Sequence, residues 1–278
     1  MSALERLEAS VAALDSVAVG LSGGVDSSLL VAVAHRVLGD RAVAVVARSP
    51  SLPARELDGA IATAEAIGID LEVVTTSEVD DPRYAANPTN RCLFCKDHQF
   101  AALQQVADRR GLATIAHGET ADDIGEHRPG RAAAERWGAR APLREAGLGK
   151  DAIRDLARQL GLPVWDKPAF ACLSSRIPYG DEVTPQKLAR IDAAEQRLFD
   201  MGFSAFRVRH HDDLARLELD PVEHGRAVRE AATIVAALRE VGYAHVTLDL
   251  AGLDASRTRP GRGATVTDRL LPVVEVTS

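Results

Sequence analysis

The chain has 278 residues, enough for one large domain or for an ordinary domain with a smaller one attached. Hydrophobic residues make up 46% and charged residues 26%, and no stretch approaches the roughly 18 consecutive apolar residues that a membrane span requires. A net charge of -7 argues against general affinity for nucleic acid. Because the amphipathic N-terminus carries acidic residues and differs from a secretory signal, we expect a soluble, cytoplasmic protein with neither a membrane nor a nucleic acid as partner.

Short apolar runs alternate with helical patterns through the first half of the chain. An amphipathic helix comes first; the predicted strands are 17–21, 42–47, 71–75 and 113–116, and the predicted helices between them are 28–38, 53–67 and 97–109. Strands that alternate with helices predict a parallel sheet covered on both faces. Ligands of such sheets bind beyond the carboxyl ends of the strands.

The second half of the chain follows a different pattern. Polar, proline and glycine residues interrupt the periodicity at 80–96 and 163–180, which predicts long functional loops. Beyond them the pattern predicts a helix over 184–199, strands at 206–208 and 215–219, a helix over 221–240 and a strand at 245–250. We therefore expect one domain over residues 1–180 and a small α+β domain over 181–278. Its Arg- and Gly-rich tail, 256–263, is expected to be flexible unless a ligand orders it.

A six-residue loop, Ser22-Gly23-Gly24-Val25-Asp26-Ser27, joins the first predicted strand to a helix. Its glycines allow a sharp turn that exposes successive N–H groups beside the positive end of the helix, an arrangement that favours an anion. The serine hydroxyls add donors, and the Asp26 carboxylate is suited to orient amides or to hold Mg²⁺ against phosphates. The loop lacks the Gly-Lys-Ser/Thr ending of the P-loop, so pyrophosphate release fits it better than transfer of a terminal phosphate. The plain alternative is a Gly- and Ser-rich turn without a ligand.

This loop resembles the PP-loop of the ATP pyrophosphatase superfamily. The resemblance implies an α/β fold: a parallel-sheet PP-loop ATP pyrophosphatase domain, similar to the adenine nucleotide alpha hydrolases, followed by a smaller C-terminal α+β domain. It also implies ATP and Mg²⁺ as cofactors, with AMP and pyrophosphate as products.

Further segments narrow the resemblance to one branch of the superfamily. They are His117-Gly118-Glu119-Thr120-Ala121-Asp122-Asp123, His127-Arg128-Pro129-Gly130, and the run from Trp165 to Gly180, WDKPAFACLSSRIPYG. These segments are similar to the ATP-dependent sacrificial sulfur transferase family, whose members make the thiocarboxylates of the nickel-pincer nucleotide cofactor. The resemblance places Gly118, Asp122 and Asp123 in the nucleotide pocket, where the carboxylates would hold Mg²⁺ or position the adenylate. The chain departs from the family at Glu119-Thr120, where Thr-Asn is expected.

The three cysteines, Cys92, Cys95 and Cys172, are too few for a disulfide framework. Cys92 and Cys95 fall in the first long loop, just before a predicted helix, and Cys172 falls in the second, so we expect them to share one cleft. A Cys-x-x-Cys pair by itself is compatible with a redox pair, half of a zinc site or part of an iron–sulfur site.

The family resemblance implies two designs for the sulfur. In one, ATP adenylylates the substrate carboxylate, the Cys172 thiolate displaces AMP to give a thioester, and cleavage of the Cβ–S bond leaves dehydroalanine. In the other, Cys92, Cys95 and Cys172 hold a [4Fe-4S] cluster whose fourth iron binds a sulfide that attacks the activated carboxylate. Three thiolates, where sacrifice needs one, favour the cluster. Zinc held by the three cysteines and His98 is a further alternative.

Arginines complete the set of candidate site residues. Arg176, four residues after Cys172, is predicted to act in catalysis by neutralising substrate or phosphate; the alternative is a solvated loop arginine. Arg207 and Arg209 alternate on a predicted strand and so project to one face, where the family resemblance favours binding of a substrate phosphate over a solvent-facing strand edge. Glu195 and Glu218 match acidic positions of the family in the same domain, with ordinary surface positions as the alternative.

The resulting prediction is an ATP-dependent sulfur transferase. The resemblance implies that it adenylylates a small nucleotide-like carboxylate, pyridinium-3,5-biscarboxylic acid mononucleotide or a related acid, and converts it to a thiocarboxylate. It further implies a homo-oligomer. The alternatives are a tRNA thiolase, which needs a basic surface or an RNA-binding domain, an amide-forming synthetase, which needs no cysteines, and a nucleotide- or metal-binding regulator without turnover.

Overall fold

The computed structural model describes residues 1–123, 130–168 and 170–253. The predicted nucleotide-pocket residues His127, Arg128 and Pro129, and the Arg- and Gly-rich tail, lie outside the described residues. The chain divides into two compact units, Met1–Asp192 and Ala193–Ser278. Within the described ranges, the structure has no helix with the length and apolar character needed to cross a membrane.

A parallel sheet organises the first unit. Its strands are β1 (Val17–Gly20), β2 (Ala42–Arg48), β3 (Asp70–Thr75) and β4 (Thr114–Ala116), in the order β3-β2-β1-β4. All neighbouring pairs run parallel, so β1 lies between β2 and β4 and its carboxyl end faces the same edge as theirs. The predicted parallel α/β sheet is confirmed.

Helices cover both faces of this sheet. The helices that begin before residue 200 are α1 (Ala3–Ala12), α2 (Val25–Leu38), α3 (Ala54–Ile67), α4 (Pro82–Ala85), α5 (Arg91–Arg110), α6 (Arg131–Arg136), α7 (Pro142–Glu145), α8 (Lys150–Gln159) and α9 (Pro185–Asp200). Because side chains alternate along a strand, Val17 and Val19 of β1 pack into the core beneath α1, α2 and α8, whereas Ala18 packs into the core beneath α5 and α6. Burial of both faces explains why the strands read as continuous apolar runs.

The helix that carries two of the cysteines begins earlier than its apolar period indicates. The sequence predicts a loop through residue 96 and a helix from 97, but α5 starts at Arg91. Cys92 and Cys95 therefore lie in the first turns of a helix, three residues apart and on one side of it, and their placement in a loop was wrong. Cys92, Lys96 and Asp97 interrupt the apolar pattern that would have revealed this start.

The second unit is built on a separate sheet. Its strands are β5 (Phe206–His211), β6 (Leu214–Leu219) and β7 (His245–Leu248), in the order β5-β6-β7, and its helices are α10 (His224–Arg229) and α11 (Ala231–Glu240). β5 and β6 are antiparallel, whereas β6 and β7 are parallel. An apolar core that includes Phe203, Leu217 and Tyr243 lies between this sheet and its helices. These elements confirm the expected small α+β arrangement.

The prediction of one continuous helix over 221–240 is wrong, because the structure has two helices there. A 3₁₀ turn precedes α10, and the chain leaves helical geometry at Glu230 before α11 begins. Arg226 of α10 donates a hydrogen bond to the Gly202 carbonyl oxygen at 3.1 Å and lies 4.3 Å from the centre of the Phe203 ring. These tertiary contacts hold α10 in its own orientation, and the local sequence pattern does not reveal them.

Candidate functional site

The loop Ser22–Ser27 leaves the carboxyl end of β1 and turns directly into α2. Gly23 has a φ of 76°, and a Cβ atom there would lie 3.2 Å from the Glu56 carbonyl oxygen of α3, so only glycine fits. The Ser27 hydroxyl accepts a hydrogen bond from the Ser22 N–H and donates one to the Gly24 carbonyl oxygen, both at 3.1 Å. The two serines predicted to face a ligand thus also fasten the loop to itself.

Gly118 packs against the loop Ser22–Ser27. It follows β4, and a Cβ atom at this position would lie 3.0 Å from the Ser27 backbone nitrogen at the start of α2. The segment after β4 therefore packs directly on the loop, as its assignment to the nucleotide pocket requires. Any larger residue would press on the amides that are expected to face phosphate.

Asp26 pairs with a lysine that the sequence analysis missed. Its Oδ2 contacts Nζ of Lys150, the first residue of α8. Its Oδ1 is buried and accepts no hydrogen bond within the described parts of the chain. A lysine at a helix N-terminus opposes the helix dipole, and that unfavourable placement is the sequence signal that indicates another purpose for Lys150.

The two neighbouring carboxylates, Asp122 and Asp123, differ in their surroundings. Asp122 Oδ2 accepts a hydrogen bond from the Lys150 backbone N–H at 2.7 Å and so caps α8. Asp123 is buried, and its Oδ2 accepts one from the Thr120 N–H at 2.9 Å within its own turn. The structure brings Asp122 to the residue that pairs with Asp26, whereas Asp123 stabilises the local backbone.

Glu119, where the chain departs from its family, also has a structural place. Its carboxylate accepts hydrogen bonds from Arg131 Nε and Arg144 Nη1, each at 2.8 Å. These contacts join α6 and α7 to the segment after β4. Because an unpaired buried carboxylate is costly, the two guanidinium partners explain how glutamate is accommodated here.

His117, at the carboxyl end of β4, is largely buried between cations. Burial, together with the nearby charges of Lys96 and Arg144, lowers its pKa to about 3. The imidazole is therefore neutral at neutral pH, and it is not a proton donor there.

The three cysteines share one neighbourhood near the edge of the sheet. Cys92 is exposed, whereas Cys95 and Cys172 are partly buried. Burial raises the pKa of the Cys95 thiol, and negative charge on Glu78, Cys172 and Cys92 raises it further. Arg91, the first residue of α5, has its Nη2 4.0 Å from the Cys172 sulfur, so the start of α5 and the second long loop are neighbours.

These cysteines do not form a ready metal site. Among the described residues, no group of three or more His, Cys, Asp or Glu side chains is arranged to hold a metal ion. The His98 ring, the proposed fourth zinc ligand, instead lies with its Nε2 3.4 Å from Asp81 Oδ2. The geometry therefore supports neither the [4Fe-4S] cluster nor the zinc site.

Cys172 is held by a buried arginine and by its own turn. Arg91 Nη2 lies 4.0 Å from the Cys172 sulfur, and Arg91 Nη1 donates a hydrogen bond to the Ser174 carbonyl oxygen at 3.0 Å. The Tyr84 hydroxyl is 2.6 Å from the Ser174 hydroxyl. The turn after Cys172 is thus fixed from two sides, with a positive charge beside the sulfur.

Arg176 lies inside this turn and is only 2% exposed, so the alternative of a solvated loop arginine is wrong. Its Nη1 donates hydrogen bonds to the Ala171 carbonyl oxygen at 2.6 Å and to the Cys172 carbonyl oxygen at 3.2 Å. These contacts show that Arg176 shapes the backbone around Cys172.

A buried carboxylate connected to the Cys172 turn was also missed. Glu78, only 1% exposed, accepts hydrogen bonds from the hydroxyls of Ser51 at 2.7 Å and Thr76 at 3.0 Å. The Ser51 carbonyl oxygen in turn accepts one from the Leu173 N–H at 2.9 Å. Since Ser51 follows β2 and Thr76 follows β3, Glu78 ties the exits of two strands to the cysteine turn. Hydroxyl residues just beyond strand ends were the available signal.

The second unit contains its own cluster of buried charges. Arg207 and Arg209 of β5 are 8% and 7% exposed, so the alternative of a solvent-facing edge is wrong. Arg209 Nη2 donates to Glu218 Oε2 at 2.8 Å, and Glu195 Oε1 accepts from the Val208 N–H at 3.1 Å. Both glutamates are fully buried, which also removes the ordinary surface role considered for them.

The chain is similar to several known proteins. The NAD synthase family model matches residues 4–109. Pyridinium-3,5-bisthiocarboxylic acid mononucleotide synthase of Lactiplantibacillus plantarum is 36% identical over 252 residues, which cover 90% of this chain and 91% of that protein. The chain belongs to the ATP-dependent sacrificial sulfur transferase family. This membership, within the PP-loop superfamily, confirms the family resemblance and the PP-loop fold predicted for the first half of the chain.

Two further proteins are similar to this chain. An uncharacterized protein of Synechocystis is 43% identical over 258 residues, covering 92% of this chain and 96% of that protein. A glutamine-hydrolysing GMP synthase polypeptide of Thermococcus kodakarensis is 31% identical over 191 residues, covering 63% of this chain and 61% of that protein. Use of ATP with Mg²⁺ is common to the PP-loop superfamily and fits the loop after β1.

We predict that Gly118→Ala weakens ATP binding. The new methyl group would lie 3.0 Å from the Ser27 nitrogen and displace this amide from the phosphate; because a hydrogen bond to a charged group contributes about 1.5–3 kcal/mol, affinity should fall roughly tenfold or more. Calorimetric titration with α,β-methylene-ATP and Mg²⁺ measures this. Gly225→Ala is the matched control, because a Cβ atom there meets only the Arg229 side chain, at 3.5 Å. Equal affinity in the two variants would contradict the assigned contact.

We predict that His117 makes stability depend on pH. Its folded-state pKa of about 3 lies below that of the unfolded chain, so the stabilisation is complete above about pH 6.5 and is lost as pH falls toward 3. The contribution is at most about 1.4 kcal/mol per pH unit. The free energy of unfolding, measured with urea at several pH values, should rise less steeply with pH for His117→Gln than for the wild type.

His245→Gln, at an exposed position, is the control for this measurement and should keep the wild-type slope. A His117→Gln slope equal to that of the wild type would show that His117 does not carry this pH dependence.

Proposed function

We propose that the protein is an ATP-dependent sulfur transferase that releases AMP and pyrophosphate. Its substrate is a carboxylate of pyridinium-3,5-biscarboxylic acid mononucleotide or of a related acid, and its product is the thiocarboxylate. One observation carries this proposal: the Cys172 turn is bonded to Ser51, just beyond β2, and the phosphate-type loop follows the adjacent strand β1. A sulfur and a nucleotide site therefore share one edge of the sheet.

The nucleotide step uses the loop and its charged neighbours. The Gly23 and Gly24 amides and the start of α2 suit the pyrophosphate moiety of ATP, and the substrate carboxylate attacks the α-phosphorus to give an acyl adenylate and pyrophosphate. Asp26, with a buried Oδ1 that has no hydrogen bond among the described residues, and Asp122 would hold Mg²⁺. The ion would supply positive charge to the phosphates.

In the sulfur step, the Cys172 thiolate attacks the acyl carbon and AMP leaves, which gives a thioester. Loss of the Cys172 α-proton to solvent base then drives its electron pair into a Cα–Cβ double bond, and the Cβ–S bond breaks to release the thiocarboxylate. Burial alone would lower the pKa of Arg91. Negative charge on neighbouring groups, of which Cys172 has the largest effect, outweighs burial and raises this pKa above its usual value. This guanidinium remains charged and compensates the thiolate.

The source of the sulfur is the first thing to test. If Cys172 is sacrificed, one turnover removes the mass of H₂S from the intact protein, Cys172→Ser is inactive, and Cys92→Ser and Cys95→Ser still release thiocarboxylate once. Two measurements test these outcomes. They are mass spectrometry of the protein after incubation with ATP and the substrate, and iron and sulfide assays on anaerobically purified protein.

The three-cysteine [4Fe-4S] design gives a different result. Turnover would continue without mass loss, the protein would carry iron and sulfide, and each of the three Cys→Ser variants would lose activity. That result would overturn Cys172 as the donor. Pyrophosphate release without any thiocarboxylate would instead overturn sulfur transfer.

We further propose that Arg207 and Arg209 bind the phosphate of the mononucleotide substrate. Support comes from their burial on one side of β5 beside Glu218, where a planar guanidinium suits bidentate contact with phosphate. Arg207→Gln should raise the KM for the mononucleotide roughly tenfold or more, since a hydrogen bond to a charged group contributes about 1.5–3 kcal/mol. The KM for ATP should not change.

The dephosphorylated nucleoside makes this test specific to the phosphate. Wild type and Arg207→Gln should use the nucleoside equally poorly, and Arg239→Gln, an exposed change on α11, should behave as wild type with both substrates. If Arg207→Gln impairs the nucleoside as much as the nucleotide, the arginine does not recognise phosphate.

A further inference from the structure

Lys167 joins the nucleotide loop to the segment that leads into Cys172. Its ammonium donates one hydrogen bond to the Gly23 carbonyl oxygen at 3.0 Å and another to Glu56 Oε2 at 2.8 Å. Glu56 lies in the first turn of α3, whose backbone packs against Gly23. One side chain therefore contacts the loop after β1, the helix after β2 and the chain five residues before Cys172.

The backbone of this segment has a separate anchor. Arg154 of α8 donates hydrogen bonds to the carbonyl oxygens of Trp165, at 2.9 Å, and Lys167, at 3.0 Å. The ammonium is thus not needed to hold the chain on α8. What it adds is the connection to Gly23 and Glu56.

This connection fixes the direction of one loop amide. In a trans peptide the carbonyl oxygen and the following N–H point in opposite directions, so a fixed Gly23 carbonyl oxygen also fixes the Gly24 N–H. Gly24 immediately precedes α2, where a bound phosphate meets the backbone donors. Glu56 balances the charge of Lys167, and the contact that Lys167 makes with the loop is the hydrogen bond to the Gly23 carbonyl oxygen.

We propose that Lys167 is a positioning residue that couples nucleotide binding at Ser22–Ser27 to the placement of Cys172. The inference rests on the proposed function, because adenylylation and sulfur attack must occur at the same carboxyl group of the substrate. A bound nucleotide orders the loop, and the loop holds the ammonium of Lys167, five residues before Cys172, through the Gly23 carbonyl oxygen.

The test follows the reactivity of Cys172 as a function of nucleotide. Wild type, Lys167→Met and Lys167→Arg are alkylated with iodoacetamide, with and without saturating α,β-methylene-ATP and Mg²⁺, and peptide mass spectrometry gives the rate at each cysteine. The dissociation constant of each variant is measured first, so that every protein is saturated. Lys187→Met is the matched control, because its ammonium donates to the Glu182 carbonyl oxygen at 2.9 Å, away from the loop.

We expect the nucleotide to change the alkylation rate of Cys172 several-fold in the wild type and in Lys187→Met. Lys167→Met should lose this response while binding the nucleotide more weakly, and Lys167→Arg, which retains a donor and its charge, should keep most of it. The rate at exposed Cys92 should not respond to the nucleotide in any variant and serves as the internal reference for the reagent.

A Lys167→Met variant that binds nucleotide and keeps the wild-type response would overturn the coupling. So would a wild type whose Cys172 rate ignores the nucleotide. Neither result depends on catalysis, since no substrate carboxylate is present. Failure of the proposed function would appear separately, as the absence of thiocarboxylate from the wild type.

Discussion

Parallel pairing of β1 with both β2 and β4 is the constraint on which the rest of the site depends. Parallel strands end at the same edge, so the segments that follow them are forced together whatever their distance in sequence. The loop Ser22–Ser27 follows β1, Ser51 follows β2, and Gly118 follows β4. Hydrogen bonds and packing between these segments then bring the Cys172 turn to the same edge. The sheet thereby provides both a phosphate-type loop and a sulfur atom without a dedicated connecting element.

Buried charges maintain this arrangement. Glu78, Arg91, Glu119 and Arg176 each lose water on folding and each recover hydrogen bonds from hydroxyls, guanidinium groups or backbone carbonyls. Removal of one partner would leave a desolvated charge, which costs far more than an exposed ion pair contributes. The site is therefore built from mutually dependent contacts, and this suits the proposed reaction, in which an adenylate and a thiolate meet. The homo-oligomer implied by the family stays a prediction.

The sequence predicted the fold better than it predicted the contacts of the site. All four strands of the first sheet and the phosphate-type loop were recognised from buried apolar runs and a local glycine pattern. The early start of α5 was missed because polar residues and cysteines mask its period, and so the geometry of Cys92 and Cys95 was wrong. Lys150 and Glu78 were missed because their partners, Asp26 and Ser51, are remote in sequence. No periodicity reports contacts between distant residues.

By itself the sequence determined the α/β class, the loop that suits ATP, the family and the identity of the three cysteines. Each of these features can be recognised from residues that are close together in the sequence. Only the tertiary structure decided the surroundings of the cysteines and which charges are buried. It places Cys172 beside Arg91, and it buries Cys95 so that the neutral thiol is favoured. Only it showed that Lys167 bridges Gly23 and Glu56. The physical reason is the same in each case: burial and long-range hydrogen bonding depend on which segments the sheet brings together, and that is a property of the folded chain.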